Sequence, residues 1–224
     1  MFDRFDSRAL QRNDCYAQRF MRAGTYAYNV VPGHGQALST DYPFIVHVEG
    51  ESQEMTQHNL RVNAERKGFV VDQPKVAIRI GDMVLWNGGN DGAQPYAIVG
   101  EAAFFSSYRM VNECGYSHAF GTAGDYEWAD AFSSKIGGKI QVRDPDCSAS
   151  DGLEKWHRQL AEGNVVMIAD GQADRTSFDI LTGQTVFFAI VKGEGISITD
   201  RRWLEPVYRH DCGNADKVGR PQTA

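Results

Sequence analysis

Cys114 and His118 are the residues whose types and spacing come nearest to redox chemistry. With Tyr116 and Phe120 they occupy alternate positions of one extended segment, so their side chains share a face. Thiolate and imidazole suit copper or another transition metal, and with a further histidine the pair could serve electron transfer or an oxidoreductase. The competing reading is a buried free cysteine beside a hydrogen-bonded core histidine. His34, His47 and His58 show no i, i+2 or i, i+4 pairing that would assemble a site. His210 and Cys212 abut a polar tail, and Pro145 between Asp144 and Asp146 is unlike a calcium loop. The sequence contains no G-x-S-x-G, Walker A or H-E-x-x-H motif, and Gly193-Glu194-Gly195 reads as a turn. No catalytic residue is assigned.

The elements that must position these groups are short and mostly extended. The 224 residues, 42% hydrophobic and 23% charged, suffice for one substantial domain with additions or for two small ones. A net charge of −6 without a basic run favours neither nucleic acid nor an anionic membrane, and no apolar run is long enough to span a bilayer, so a soluble chain is expected. The mixed-charge N-terminus lacks a secretory h-region and points to the cytoplasm, an exported form with a removed leader being the other option. Apolar residues at helical intervals over 7–23, closed by Gly24, predict an N-terminal helix. Strands are expected at 44–48, 59–63, 76–80, 83–86, 96–99, 116–120, 125–128 and 138–142, the pattern of an all-β sandwich. The Asp, Pro, Ser and Gly of 144–152 mark a linker, followed by a short helix at 153–161 and strands at 165–169 and 185–191. Segments 78–86 (IRIGDMVLW) and 180–188 (ILTGQTVFF) share Ile, Gly, Val and an aromatic at matched offsets, which predicts a partial repeat. The expected division is therefore a lead-in at 1–43, a main domain at 44–143, a linker with helix at 144–163, a partial second β unit at 164–211 and a disordered tail at 212–224.

Three motifs carry a family resemblance. Gly81-Asp82-Met83-Val84-Leu85-Trp86, Gly124-Asp125-Tyr126-Glu127-Trp128 and Ile136-Gly137-Gly138-Lys139-Ile140 resemble segments of the cupredoxin, or blue-copper, superfamily. In that family a G-D-x-V-x-W strand leads to a first histidine ligand, and a G-x-Y-x-[YW] strand leads to a C-x2-H-x2-M loop closing on G-x-I. The resemblance implies a cupredoxin-like Greek-key β-sandwich, here with the N-terminal helix and the C-terminal partial β repeat. It also puts Tyr96 in the slot of the first histidine, and Asp130, Ser133 and Ile136 in the slots of cysteine, second histidine and axial methionine. These four offer no imidazole and no sulfur, so type 1 copper is not expected. A Tyr96 phenol donating to the Asp130 carboxylate is expected to cap the pole. The functional alternative there is a small polar binding site, or a hard-metal site completed by Glu101 or Glu127.

Two functions follow. The first is a copper-free, cofactor-free protein acting as a binding, accessory or structural subunit, in a homo-oligomer or with a protein partner. The second is a metalloprotein with a rebuilt site using Cys114 and His118. Strands of the C-terminal unit that lack neighbours favour the first.

Overall fold

The computed structural model describes residues 3–35, 41–89, 94–148 and 151–204. His210, Cys212 and the expected tail lie outside the described residues. The chain is mainly β. Its first eight strands are β1 (Asp14–Arg19), β2 (Gly24–Pro32), β3 (Phe44–Glu51), β4 (Gln57–Glu65), β5 (Gly68–Val71), β6 (Lys75–Ile80), β7 (Met83–Gly88) and β8 (Tyr96–Gly100). There follow β9 (Met110–Ala119), β10 (Gly124–Asp130), β11 (Ser133–Arg143), α1 (Gly152–Leu160), β12 (Asn164–Ala169), β13 (Gln172–Ala173), β14 (Ser177–Leu181), β15 (Thr185–Ile196) and β16 (Ile198–Asp200). No helix among the described residues is long and apolar enough to cross a membrane.

One eight-stranded sheet, ordered β13-β12-β15-β9-β1-β7-β4-β5, runs through the molecule. Two four-stranded sheets, β6-β3-β2-β8 and β14-β11-β10-β16, lie against its inner face. Tyr28 of β2 meets Trp86 of β7 with ring centroids 5.4 Å apart, and Trp128 of β10 meets Phe188 of β15 at 5.1 Å. Such aromatic pairs add specific geometry to the burial that drives the layers together.

The expected Greek-key sandwich with an N-terminal helix is not what forms. Parallel ladders join β3 to β6, β4 to β7, β11 to β14 and β12 to β15. They stack successive windings of the chain in a solenoid-like manner, over about five turns. The motifs that carry the family resemblance do become strands, β7, β10 and β11, yet β7 sits between β1 and β4 while the β10–β11 hairpin belongs to another sheet. Within 7–23 the expected helix is replaced by β1, a central strand paired with both β7 and β9. Its Asp14, Tyr16 and Gln18 are buried at alternate positions, and Ala17 is buried as well because β7 and β9 flank it. That second burial, unusual for an alternating strand, gives the apolar positions their helix-like spacing.

The recurrence of 78–86 in 180–188 is part of a complete duplication, not a partial repeat. β1 pairs with β7 as β9 pairs with β15, and β2 pairs with β3 and β8 as β10 pairs with β11 and β16. Registers coincide as well. Tyr16 faces Trp86 as Tyr116 faces Phe188, and Tyr28 faces Gly100 as Trp128 faces Asp200. In the ladder joining β1 to β9, Tyr16 lies opposite Tyr116, so two equivalent residues meet at a local two-fold axis. The expected boundary after residue 43 falls between β2 and β3, which are hydrogen-bonded neighbours.

Each half lends a short arm to the other. Ser7 N–H donates to Ile198 O (2.8 Å) and its hydroxyl accepts from Ile198 N–H (3.2 Å), whereas Ser107 bonds Ile98 in the same two ways, at 3.0 Å each. The arms at 5–9 and 105–109 thus cover the edges of β16 and β8, which would otherwise stand unpaired.

Candidate functional site

Three local backbone features and the side chain of Arg109 converge at one pole of the second half. The ladder between β10 and β11 shifts register after Ala129, so Asp130 pairs with Ser133 and the segment up to Ile136 bulges. The turn from β12 to β13 is Asp170-Gly171, both at positive φ (48° and 77°), the Asp-Gly pairing that a tight two-residue hairpin favours. β15 breaks register with β9 between Lys192 and Ile196, and Gly195 adopts φ 98° there. Arg109 leads into β9 and lies against that glycine. Between these features is a cavity of about 740 Å3, a size suited to a small ligand.

Its lining combines opposite charges with an aromatic wall. The Arg109 guanidinium stacks 4.2 Å over the exposed Phe132 ring, which fixes its plane and leaves its N–H fork for a carboxylate. Lys135 and Glu194 are exposed on the lining, whereas Lys192 is held by Asp170 at 2.7 Å. Asp130 is buried at the base, where one carboxylate oxygen accepts from the Ser197 and Phe132 amides at 3.0 and 3.2 Å. Ile136 and Ile196 supply the apolar floor.

Of the four family slots, Asp130, Ser133 and Ile136 come together at this cavity and Tyr96 does not. Tyr96 is buried on β8 of the first half, beside Phe69. Its phenol has no hydrogen-bond partner in the protein, and burial, with Cys15 and Asp14 nearby, pushes it well above its ordinary pKa. The expected Tyr96–Asp130 hydrogen bond is therefore absent. The two residues belong to different four-stranded sheets, and Tyr96 is the repeat equivalent of Ile196. Asp130 is capped instead by backbone amides.

Cys114 and His118 share the inner face of β9 but lie four residues apart along an extended strand, about 13 Å. Burial pushes the Cys114 thiol up to about 12. His118 Nδ1 donates to Asp14 Oδ1 at 2.7 Å, and the Tyr116 hydroxyl donates to the same oxygen at 2.5 Å. The Gln11 amide takes the other oxygen at 2.7 Å. Burial raises the Asp14 carboxyl above its usual value despite these donors. Asp14, hidden in the segment that reads as a helix, is the residue sequence reasoning missed here. Cys114 and Gln18 occupy the symmetry-related positions, so the axis carries a hydrogen-bonded triad at one end and an amide and a thiol at the other.

Three further histidines each lie beside one carboxylate. His58 lies 3.2 Å from Asp82, His34 lies 3.6 Å from Asp6, and His47 meets Thr25 at 3.1 Å and Glu49 at 3.4 Å. No group of three or more histidine, cysteine or acidic residues is placed to hold a metal ion among the described residues. Arg109, Phe132 and Glu194 carried no signal in the sequence, because their convergence depends on bulges in strands far apart along the chain. Comparison with protein-family models, curated proteins and solved structures finds no match for this chain.

Proposed function

We propose that this protein is a binding subunit without catalytic chemistry of its own, and that the second-half pole takes a zwitterionic ligand of short-peptide size. The supporting observation is an internal control. By the repeat, Arg109 corresponds to Ala9, Asp130 to Val30 and Phe132 to Pro32, whereas Ser133 opens the second strand of a hairpin shorter than its first-half counterpart. In the first half Ala9 and Val30 are buried, whereas Pro32 is exposed. A Cβ on Gly33 would meet Ala9 Cβ at 2.8 Å and Pro95 Cβ at 3.0 Å. The same strands therefore carry small apolar residues at one pole and charged ones at the other, so the fold itself does not require the charges.

The charges indicate the ligand. Arg109 and Lys135 suit a carboxylate, while Asp130 and Glu194 suit an ammonium or amide donor, and Phe132 offers a flat apolar surface. Titration calorimetry with an unblocked Glu-containing tripeptide tests this. Binding to the native chain is expected, with loss on Arg109→Ala and weakening when the peptide is acetylated and amidated. Equal heats for native and Arg109→Ala protein would refute the reading.

A further inference from the structure

The turns that lead into β2 and β10 share one geometry, but only the second is closed by an acid of the chain. Phe20, Gly24 and Tyr26 recur as Phe120, Gly124 and Tyr126. The Phe20 and Phe120 amides bond Asp82 O and Gln184 O at 3.0 and 3.1 Å, and the Tyr26 and Tyr126 hydroxyls donate to Arg22 O and Thr122 O at 2.9 and 2.8 Å. In the second half, Asp3 Oδ2 accepts from the Gly121 and Thr122 amides at 2.6 and 2.9 Å, and Oδ1 accepts from the Thr122 hydroxyl at 3.2 Å. Successive backbone amides at such a turn form an anion-binding concavity.

The first half keeps the turn without the acid. Ala103 takes the sequence position of Asp3, and Met21 and Arg22 take those of Gly121 and Thr122. The Met21 and Arg22 amides meet no acceptor among the described residues. A cavity of about 420 Å3 lies at this turn, lined in part by Arg19, Met21, Arg22, Tyr26 and Phe104. Arg19 and Arg22 stand where the second half has Ala119 and Thr122, so positive charge is added where the carboxylate is removed. Arg19 is tied to Gly81 O at 3.0 Å and lies 3.7 Å from Glu113, whereas the exposed Arg22 side chain forms no hydrogen bond or ion pair among the described residues. Met21 does not close the concavity by its position, since a Cβ on the equivalent Gly121 would stand 3.9 Å from Asp3 Oδ1, an ordinary contact.

We propose that this turn binds the carboxylate of a small aromatic acid. The Met21 and Arg22 amides and the Arg22 guanidinium take its oxygens, and the exposed Phe104 ring, edge-on to Tyr26, takes its apolar part. The charged tripeptide suited to the other cavity offers no such apolar part. Backbone amide chemical shifts of the full chain during titration with phenylacetate test the proposal. Saturable shifts are expected at Met21 and Arg22, with none at Gly121 and Thr122, whose amides Asp3 already holds. Phenylacetamide, the neutral isostere, should move neither pair. Arg22→Thr, which installs the residue found at the second-half turn, should weaken phenylacetate binding about tenfold through loss of a charge-assisted hydrogen bond, with unchanged circular dichroism. No saturable shift at Met21 and Arg22, or equal shifts with phenylacetamide, overturns the proposal, and equal shifts with inorganic phosphate overturn its carboxylate selectivity. Arg109→Ala should leave the phenylacetate shifts unchanged, so this site and the second-half pole fail separately.

Discussion

At the scale of single residues, the duplication shows which polar groups serve the fold and which do not. Asp82 and Gln184 occupy the same turn after β6 and β14, and each accepts from the residue three before it, Arg79 N–H at 2.9 Å and Leu181 N–H at 2.7 Å. A carboxylate and an amide thus perform one structural task. Desolvation would raise the Asp82 carboxyl, but the Arg79 and Thr56 amides and the His58 ring outweigh it and hold the carboxyl below its ordinary value. A depressed carboxyl lends stability above its unfolded pKa of about 3.9 and loses it as pH falls through the lower folded value. Denaturant titrations of Asp82→Asn should therefore show a flatter loss of stability below about pH 4, with a cost of about 1–3 kcal/mol at neutral pH. Arg109 and Lys135 have no such task for their side chains, neither of which forms a hydrogen bond or ion pair among the described residues; Lys135 bonds Ser133 Oγ only through its backbone N–H, at 3.2 Å. Their types are ordinary surface types, which is why the sequence alone did not single them out, whereas Asp130, Ser133 and Ile136 stood out only through the family resemblance.

At the scale of elements, most strands from β3 to β12 were legible in the sequence, whereas β1, β2 and β14 were not expected. β7, β10 and β11 were legible from alternation; β1 was not, because its flanking neighbours bury Ala17 along with Tyr16. The glycines between β6 and β7 and between β14 and β15 carry the best local signal of the repeat. Gly81 and Gly183 sit at φ 95° and 90°, and their amides bond Phe20 O and Phe120 O at 2.8 and 2.6 Å. A side chain is strained at such φ by about 1–3 kcal/mol. Gly81→Ala should cost about that much, since its Cβ would find only the tip of Arg19 at 3.9 Å. Gly183→Ala should cost more, because its Cβ would also meet Leu160 Cδ2 at 2.9 Å and press on α1, which is anchored nearby through the Trp156 Nε1–H bond to Thr182 O. Chemical denaturation of the two variants compares them directly, and equal losses would mean that α1 yields without cost.

At the scale of the whole molecule, two β halves share one sheet across a local two-fold axis and exchange their leading arms. Phe5, fully buried, crosses from the first half to pack on Phe120, His118 and Tyr126 of the second. Neither half can lose its structure without exposing the edge and core of the other, so calorimetric unfolding should show one transition. Phe5→Ala should lower that single transition by about 3–5 kcal/mol of stability rather than split it; two resolved transitions would contradict the coupling. The sequence carries this repeat as seven identities over residues 5–26 at an offset of one hundred, Phe5, Ser7, Tyr16, Phe20, Ala23, Gly24 and Tyr26 recurring at 105, 107, 116, 120, 123, 124 and 126, but the 78–86 and 180–188 echo lies at a different offset, which hid the exchange of arms. Under the proposal, the duplication pairs a binding pole with one that serves the fold alone. Backbone amide chemical shifts recorded while the unblocked tripeptide is added test it most directly. Shifts confined to Arg109, residues 130–136 and residues 193–196 are predicted, with none at Ala9, Val30 or Gly33. Equal shifts at both poles, or none at either, would contradict the account.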